Sequence, residues 1–166
     1  PHRDTRSLAR RLERVSPGQR ILIVTDGVFS MDGDLAPLPE ILKLAKRHDA
    51  MVMVDDAHAT GVLGPTGRGT IEHFGLEGQV PIQMGTLSKA IGAFGAYVAG
   101  SHELITYLIN RSRSYIYTTS LPTAFAAASL VALDLIEKEP QIRQQLWDNR
   151  NYYENGIKAL GYNTLQ

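Results

Sequence analysis

Apolar residues recur along this chain in two alternating rhythms. Leu8, Leu12 and Val15 stand four and three apart behind Asp4, the spacing of one helix face with an aspartate placed to cap it, and Pro17-Gly18 ends the run. The unbroken apolar segment Ile21-Leu-Ile-Val24 then predicts a strand that closes on Thr25-Asp26-Gly27. Met31-Asp-Gly-Asp34 reads as a turn, and Pro39 opens a helix through Glu40 to His48 with Ile41, Leu42 and Ala45 on one side. A second strand, Met51-Val-Met-Val54, runs into Asp55-Asp-Ala-His58 and a glycine-punctuated stretch from Gly61 to Gly69. Further on come a short strand at Ile82-Gln-Met84, a glycine-rich turn after Lys89 and the strand Tyr97-Val-Ala99. Three helices are expected beyond it: Glu103 to Arg113, Thr123 to Glu137, and a long amphipathic one opened by Pro140 and carrying Ile142, Leu146, Tyr153, Ile157 and Leu160.

Strands interleaved with helices predict an α/β fold, a three-layer αβα arrangement around a mostly parallel sheet. In such sheets ligands bind beyond the carboxyl ends of the strands. Three of those ends carry Thr25-Asp26, Asp55-Asp56 and Gly85-Thr86, so function is expected along that edge.

Composition narrows the partners. Seventeen basic residues balance seventeen acidic ones among 166, leaving no long-range field to recruit nucleic acid or an anionic membrane. The absence of cysteine excludes a disulfide framework, a thiolate metal site and a cysteine nucleophile, and fits a reducing cytoplasm. No apolar stretch approaches the roughly 20 residues of a membrane helix, so a soluble protein is expected. Metal binding is not expected, because His2, His48, His73 and His102 show no ligand-like spacing.

Candidate chemistry gathers on a few residues. Lys89, in Gly85-Thr-Leu-Ser-Lys89-Ala, follows a buried strand among small residues, where an amine can be desolvated and activated, although a solvated loop lysine fits the same spacing. The glycine frame of a nucleotide phosphate loop is missing around it. Asp55 and His58 close the strongest strand; a turn-capping aspartate and a core histidine are the structural alternatives. A pyridoxal cofactor needs a lysine, a carboxylate to keep its pyridine nitrogen protonated, donors near its phenolic oxygen, and hydroxyls around its phosphate. All of these residue types occur here.

Four runs, Thr25-Asp-Gly-Val-Phe-Ser-Met-Asp-Gly-Asp34, Val54-Asp-Asp-Ala-His-Ala-Thr-Gly61, Gly67-Arg-Gly69 and Gly85-Thr-Leu-Ser-Lys-Ala-Ile-Gly92, stand in an order and spacing that resembles the α-oxoamine synthases. These are pyridoxal 5'-phosphate (PLP) enzymes of the aspartate aminotransferase fold, fold type I. The resemblance implies that Lys89 carries the cofactor and moves the substrate's α-proton, that Asp55 pairs with the pyridine nitrogen, and that His58 and Ser30 bond near the phenolic oxygen. It also implies that Thr86 holds the phosphate, while Thr119 and Ser120 reach the phosphate bound by a partner subunit, hence a homodimer. Ordinary turn chemistry before Leu121-Pro122 is the alternative for Thr119 and Ser120. Gly92, Gly95 and Gly100 are expected to serve close packing and turns, Arg68 to be a surface cation, and Trp147 to pack.

The activity implied is condensation of a small amino acid, L-alanine or glycine, with an acyl thioester on coenzyme A or an acyl carrier protein. Gln83-Met-Gly-Thr86 and Tyr115-Ile-Tyr-Thr-Thr-Ser-Leu-Pro122 lean toward the 8-amino-7-oxononanoate synthase branch, in biotin biosynthesis, with the glycine C-acetyltransferase branch (2-amino-3-ketobutyrate coenzyme A ligase) next. An aminotransferase or lyase of the same fold and a non-catalytic synthase-like subunit are the competing expectations. Both chain ends read as cut, the last segment as if a strand were about to begin. Residues 1–139 are expected to form the central part of an incomplete PLP-binding large domain, and 140–166 a helix leading into a truncated small domain. On this expectation the stretch alone is inactive.

Overall fold

The computed structural model describes residues 1–164. Helix α1, Thr5–Leu12, is capped by the Asp4 carboxylate, which accepts from the Ser7 N–H at 2.8 Å. It ends sooner than the Leu8–Leu12–Val15 spacing suggested. The Arg14 and Val15 N–H groups bond the carbonyls three residues back, so the last turn tightens and Val15 leaves the α-helix. β1 (Ile21–Asp26), α2 (Leu38–Arg47) and β2 (Ala50–Asp55) follow, with α2 starting beside Pro37 and Pro39 as expected. A single short turn of helix, α3 (Thr70–His73), precedes β3 (Ile82–Thr86) and β4 (Ala96–Gly100). The remaining helices are α4 (His102–Arg111), α5 (Arg113–Ile116), α6 (Thr123–Lys138) and α7 (Pro140–Ala159). Helix α7 gives way to Gly161 at φ 84°; any strand starting at 165–166 lies outside the described residues.

The four strands lie in the order β1-β2-β3-β4, the first three parallel and β4 antiparallel to β3. This is the mostly parallel α/β sheet that the alternating segments predict. Register aligns Asp26 with Asp55 and Asp55 with Met84, so the carboxyl ends of β1, β2 and β3 form one edge. Because successive side chains alternate between faces, Asp26, Asp55 and Thr86 fall on the same face.

The opposite face is the core. Ile23, Val52 and Val54 cluster there with Leu12, Leu38, Ile41 and Ala45 from the first two helices and with Ile71, Leu76 and Val80. Val54 and Leu38 are fully buried, so the core-facing residues of β2 account for half of its unbroken apolar run. On the other face Leu22, Val24 and Met51 are exposed in these residues. The strand edge carrying the polar groups is thus anchored from one side by a close-packed core.

Among the described residues no helix is long and apolar enough to cross a membrane. The first turns of α7 lie against the glycine-punctuated loop: Arg143 donates to the carbonyls of Pro65 at 2.7 Å and Thr66 at 3.3 Å, and Trp147 Nε1 to that of Val62 at 3.3 Å. Trp147 is a packing residue, as expected.

Candidate active site

The lysine loop is shaped by the hydroxyl that ends β3. Thr86 Oγ1 donates to the Gly95 carbonyl at 3.0 Å and lies 2.8 Å from Ser88 Oγ, while the Leu87 N–H bonds the same carbonyl at 2.9 Å. These bonds close the segment 87–95 into a tight connection between β3 and β4. Lys89 starts its final turn, its carbonyl accepting from the Gly92 N–H at 2.9 Å. The side chain is exposed, and among the described residues it makes no hydrogen bond or ion pair.

Glycines let other segments press against this loop. A Cβ at Gly61 would sit 2.9 Å from that of Ala90, and one at Gly95 would meet Leu121 at 2.5 Å. Gly92 occupies a left-handed turn at φ 68°, and a Cβ at Gly100 would crowd the Pro81 carbonyl, in keeping with the packing and turn roles expected of these residues. The contact at Gly61 brings the Asp55–His58 turn beside the lysine loop, and the contact at Gly95 brings Thr119-Ser120 there. Both hydroxyl residues are exposed, and Ser120 adopts the uncommon φ of 71°.

Asp55 is half-buried at the end of β2 and its Oδ1 accepts from the Ala57 N–H at 2.9 Å. It therefore caps the next turn, while its other oxygen carries no bond among the described residues. His58 is exposed on that turn, unlike the core histidine considered as its alternative. Ser30 is exposed in the loop after β1, which is tied by Phe29 N–H to Asp34 O at 2.9 Å and Gly33 N–H to Phe29 O at 2.8 Å. Arg68 is a surface cation 3.6 Å from Glu137.

Three groups escaped the sequence patterns. Asp56, beside Asp55 in the chain, is buried and accepts from the Thr70 N–H at 2.8 Å and the Thr70 hydroxyl at 2.5 Å. Burial pushes its carboxyl above the ordinary aspartate range, and the Thr70 bonds offset only part of that. His2 and Arg3 both reach the Asp34 carboxylate, at 2.9 and 3.0 Å, and the His2 ring meets Phe29 edge-on at 4.4 Å. His2, Asp32 and Asp34 approach one another within 4.8 Å, but Arg3 already occupies Asp34, so the cluster is an ion-pair clasp on the Ser30 loop.

The third is Glu72. Its carboxylate accepts from the Thr66 hydroxyl at 2.5 Å and from the Thr66 and Arg68 N–H groups at 3.1 and 2.9 Å, fastening the loop before α3. Its slight burial raises its pKa, yet these bonds outweigh that and leave the value lowered. Glu72 contributes stability that is fully present above the unfolded glutamate pKa of about 4.3 and is lost as pH falls through the lower folded value. Glu72→Gln is expected to flatten the acid limb of the unfolding midpoint, read by thermal melts from about pH 6 down to about pH 3.

This geometry suits PLP by its donor chemistry: hydroxyls of Thr86 and Ser88 on one strand edge, with a carboxylate oxygen of Asp55 and the amine of Lys89 that carry no bond among the described residues. A sequence model of the aminotransferase class I and II family matches residues 2–166. The chain belongs to that family. Among the relatives of these class I and II aminotransferase homologues, the chain is 56% identical over 164 residues to an 8-amino-7-oxononanoate synthase from Trichlorobacter lovleyi, covering 98% of this chain and 42% of that one. A serine palmitoyltransferase from S. paucimobilis, solved with a PLP–myriocin adduct, superposes with a TM-score of 0.93 at 38% identity, over 98% of this chain and 42% of that chain. An 8-amino-7-oxononanoate synthase from Francisella tularensis gives 0.80 at 31%, over 99% and 47%. The chain thus spans about 42% of the length of the curated relatives it matches. The fold-type expectation drawn from the four motifs is borne out.

Proposed function

We propose that this chain is the central cofactor-binding part of an α-oxoamine synthase that condenses a small amino acid, L-alanine in the first instance, with an acyl thioester, releasing the carrier thiol and the amino acid's carboxylate as CO2, the 8-amino-7-oxononanoate synthase reaction. The observation that carries this reading is the convergence of Asp55, Thr86 and the Lys89 loop at one edge of the sheet. PLP, when bound, supplies a protonated ring that draws electrons from the amino acid's α-carbon and so acidifies it.

The chain's own residues then have distinct tasks. Asp55 holds the proton on the pyridine nitrogen with the oxygen that Ala57 leaves free. Lys89 would hold the cofactor through its amine, and that amine would take the proton from the amino acid's α-carbon. Thr86, whose hydroxyl proton goes to the Gly95 carbonyl at 3.0 Å, would turn it to the phosphate, and His58 and Ser30 would donate near the phenolic oxygen. Thr119 and Ser120 serve the phosphate of a partner subunit, in a homodimer. The amino acid and an acyl thioester of coenzyme A or of a carrier protein are the substrates. Residues 140–166 lead toward a second, smaller domain, and the setting is the cytoplasm.

The distinguishing test is made on a protein of the relatives' length, since 166 residues alone are not expected to turn over. Free thiol should appear when PLP, L-alanine and an acyl-coenzyme A are combined. A preference for glycine with acetyl-coenzyme A would favour the glycine C-acetyltransferase branch, and keto-acid exchange without thioester would overturn the acyl-transfer reading.

A further inference from the structure

Two adjacent carboxylates close β2, and their surroundings are opposite. Asp55 faces the open edge, half-buried, with one oxygen free; Asp56 is 5% exposed and every oxygen is engaged. The Asp56 N–H donates to the Met84 carbonyl at 2.8 Å, and the Gly27 N–H donates to the Asp55 carbonyl at 2.8 Å, so the peptide between the two aspartates is gripped from both neighbouring strands. Around the Asp56 side chain the backbone itself closes in. Added Cβ atoms at Gly27 and Gly69 would both collide with the carboxylate, and Gly69 holds φ 102°, where a side chain is strained.

Such a knot is more than is needed to satisfy one buried group. A buried carboxylate is costly unless its bonds are good, and here it bonds the end of β2 to the start of α3 while the Gly27 backbone after β1 packs against it. We propose that Asp56, through Thr70, is a positioning residue that sets the direction in which Asp55 presents its carboxylate to the cofactor ring. This rests on the PLP reading above. Because consecutive side chains leave an extended segment on opposite sides, pinning Asp56 inward holds Asp55 outward.

The experiment uses the protein of the relatives' length with Asp56→Ala, Asp56→Asn, Thr70→Val and Thr70→Ser. Asparagine retains an acceptor for the Thr70 N–H, and the Thr70 hydroxyl can turn to accept from its amide; serine keeps the hydroxyl. Two quantities are measured well below each variant's unfolding midpoint: hydrogen exchange of the Ala57 amide without cofactor, and the dissociation constant for added PLP. Asp56→Ala and Thr70→Val are expected to speed Ala57 exchange and to weaken PLP binding, each by about tenfold or more, the scale on which groups behind a ligating side chain act. The Val52 and Val54 amides should stay protected, and Asp56→Asn and Thr70→Ser should remain near wild type. Thr70→Val keeps the test open if Asp56→Ala does not fold. Unchanged Ala57 exchange and PLP affinity in the folded variants, with only a lowered melting point, would overturn the proposal. Faster Ala57 exchange in a protein whose wild type binds no PLP would sustain the positioning of Asp55 and sink the cofactor assignment instead.

Discussion

Lys89→Ala, in a protein of the relatives' length, is expected to remove the visible absorption of bound PLP and to leave no measurable acyl transfer. The proton-transfer role alone contributes about 10²–10⁴-fold, and loss of covalent attachment adds to it. Stability should scarcely change, because the turn around Lys89 is built by its neighbours. The Gly92 N–H bonds the Lys89 carbonyl, Ala93 N–H bonds Leu87 O at 2.7 Å, Thr86 clamps Gly95, and Ile91 supplies the buried side chain. An exposed side chain with no bond among the described residues is typically worth less than about 0.5 kcal/mol. A melting point near wild type together with a lost absorption band would therefore separate chemistry from folding. A band that survives the substitution would remove Lys89 from the site.

Much of this architecture is legible in the residue pattern because it depends on local signals. The apolar runs Ile21–Val24 and Met51–Val54 are strands in the structure, and the polar residues that end them fall into one register row. Pro39 marks the start of α2, and Gly61, Gly92 and Gly95 mark close approaches and turns. What the pattern hides is long-range. Asp56 reads as a second acidic residue in a polar run, and only tertiary contacts, with Thr70 fourteen positions on and with the Gly27 and Gly69 backbone, bury it. Gly27 and Gly69 offered a faint clue, since glycines on both sides of a carboxylate allow backbone to approach it. The His2–Asp34 clasp spans thirty-two positions and carries no periodic signal at all. Val15 failed for a different reason: its spacing suits a helix, but the Pro17-Gly18 break lies too near for another full α-turn, and a tightened turn forms.

Asp55→Asn carries the second large effect, and comparison with Asp56 gives it meaning. Asparagine keeps an oxygen for the Ala57 N–H, so the turn after β2 should survive and the melting point should move little. On the proposed assignment, the substitution removes the charge that would hold a proton on the pyridine nitrogen. A hydrogen bond to a charged group contributes about 1.5–3 kcal/mol, so PLP affinity is expected to fall by roughly ten- to a hundredfold, and turnover further, because an unprotonated ring draws electrons less strongly. Asp56→Asn, with its bonds retained, should leave both quantities near wild type. The two neighbouring substitutions thus differ in outcome although they alter the same functional group one residue apart. Titrating PLP by absorbance and following thiol release with each variant measures this contrast. If Asp55→Asn binds and turns over normally, the ring-nitrogen contact passes to Asp26, the half-buried carboxylate paired with Asp55 in register on the same face of the sheet.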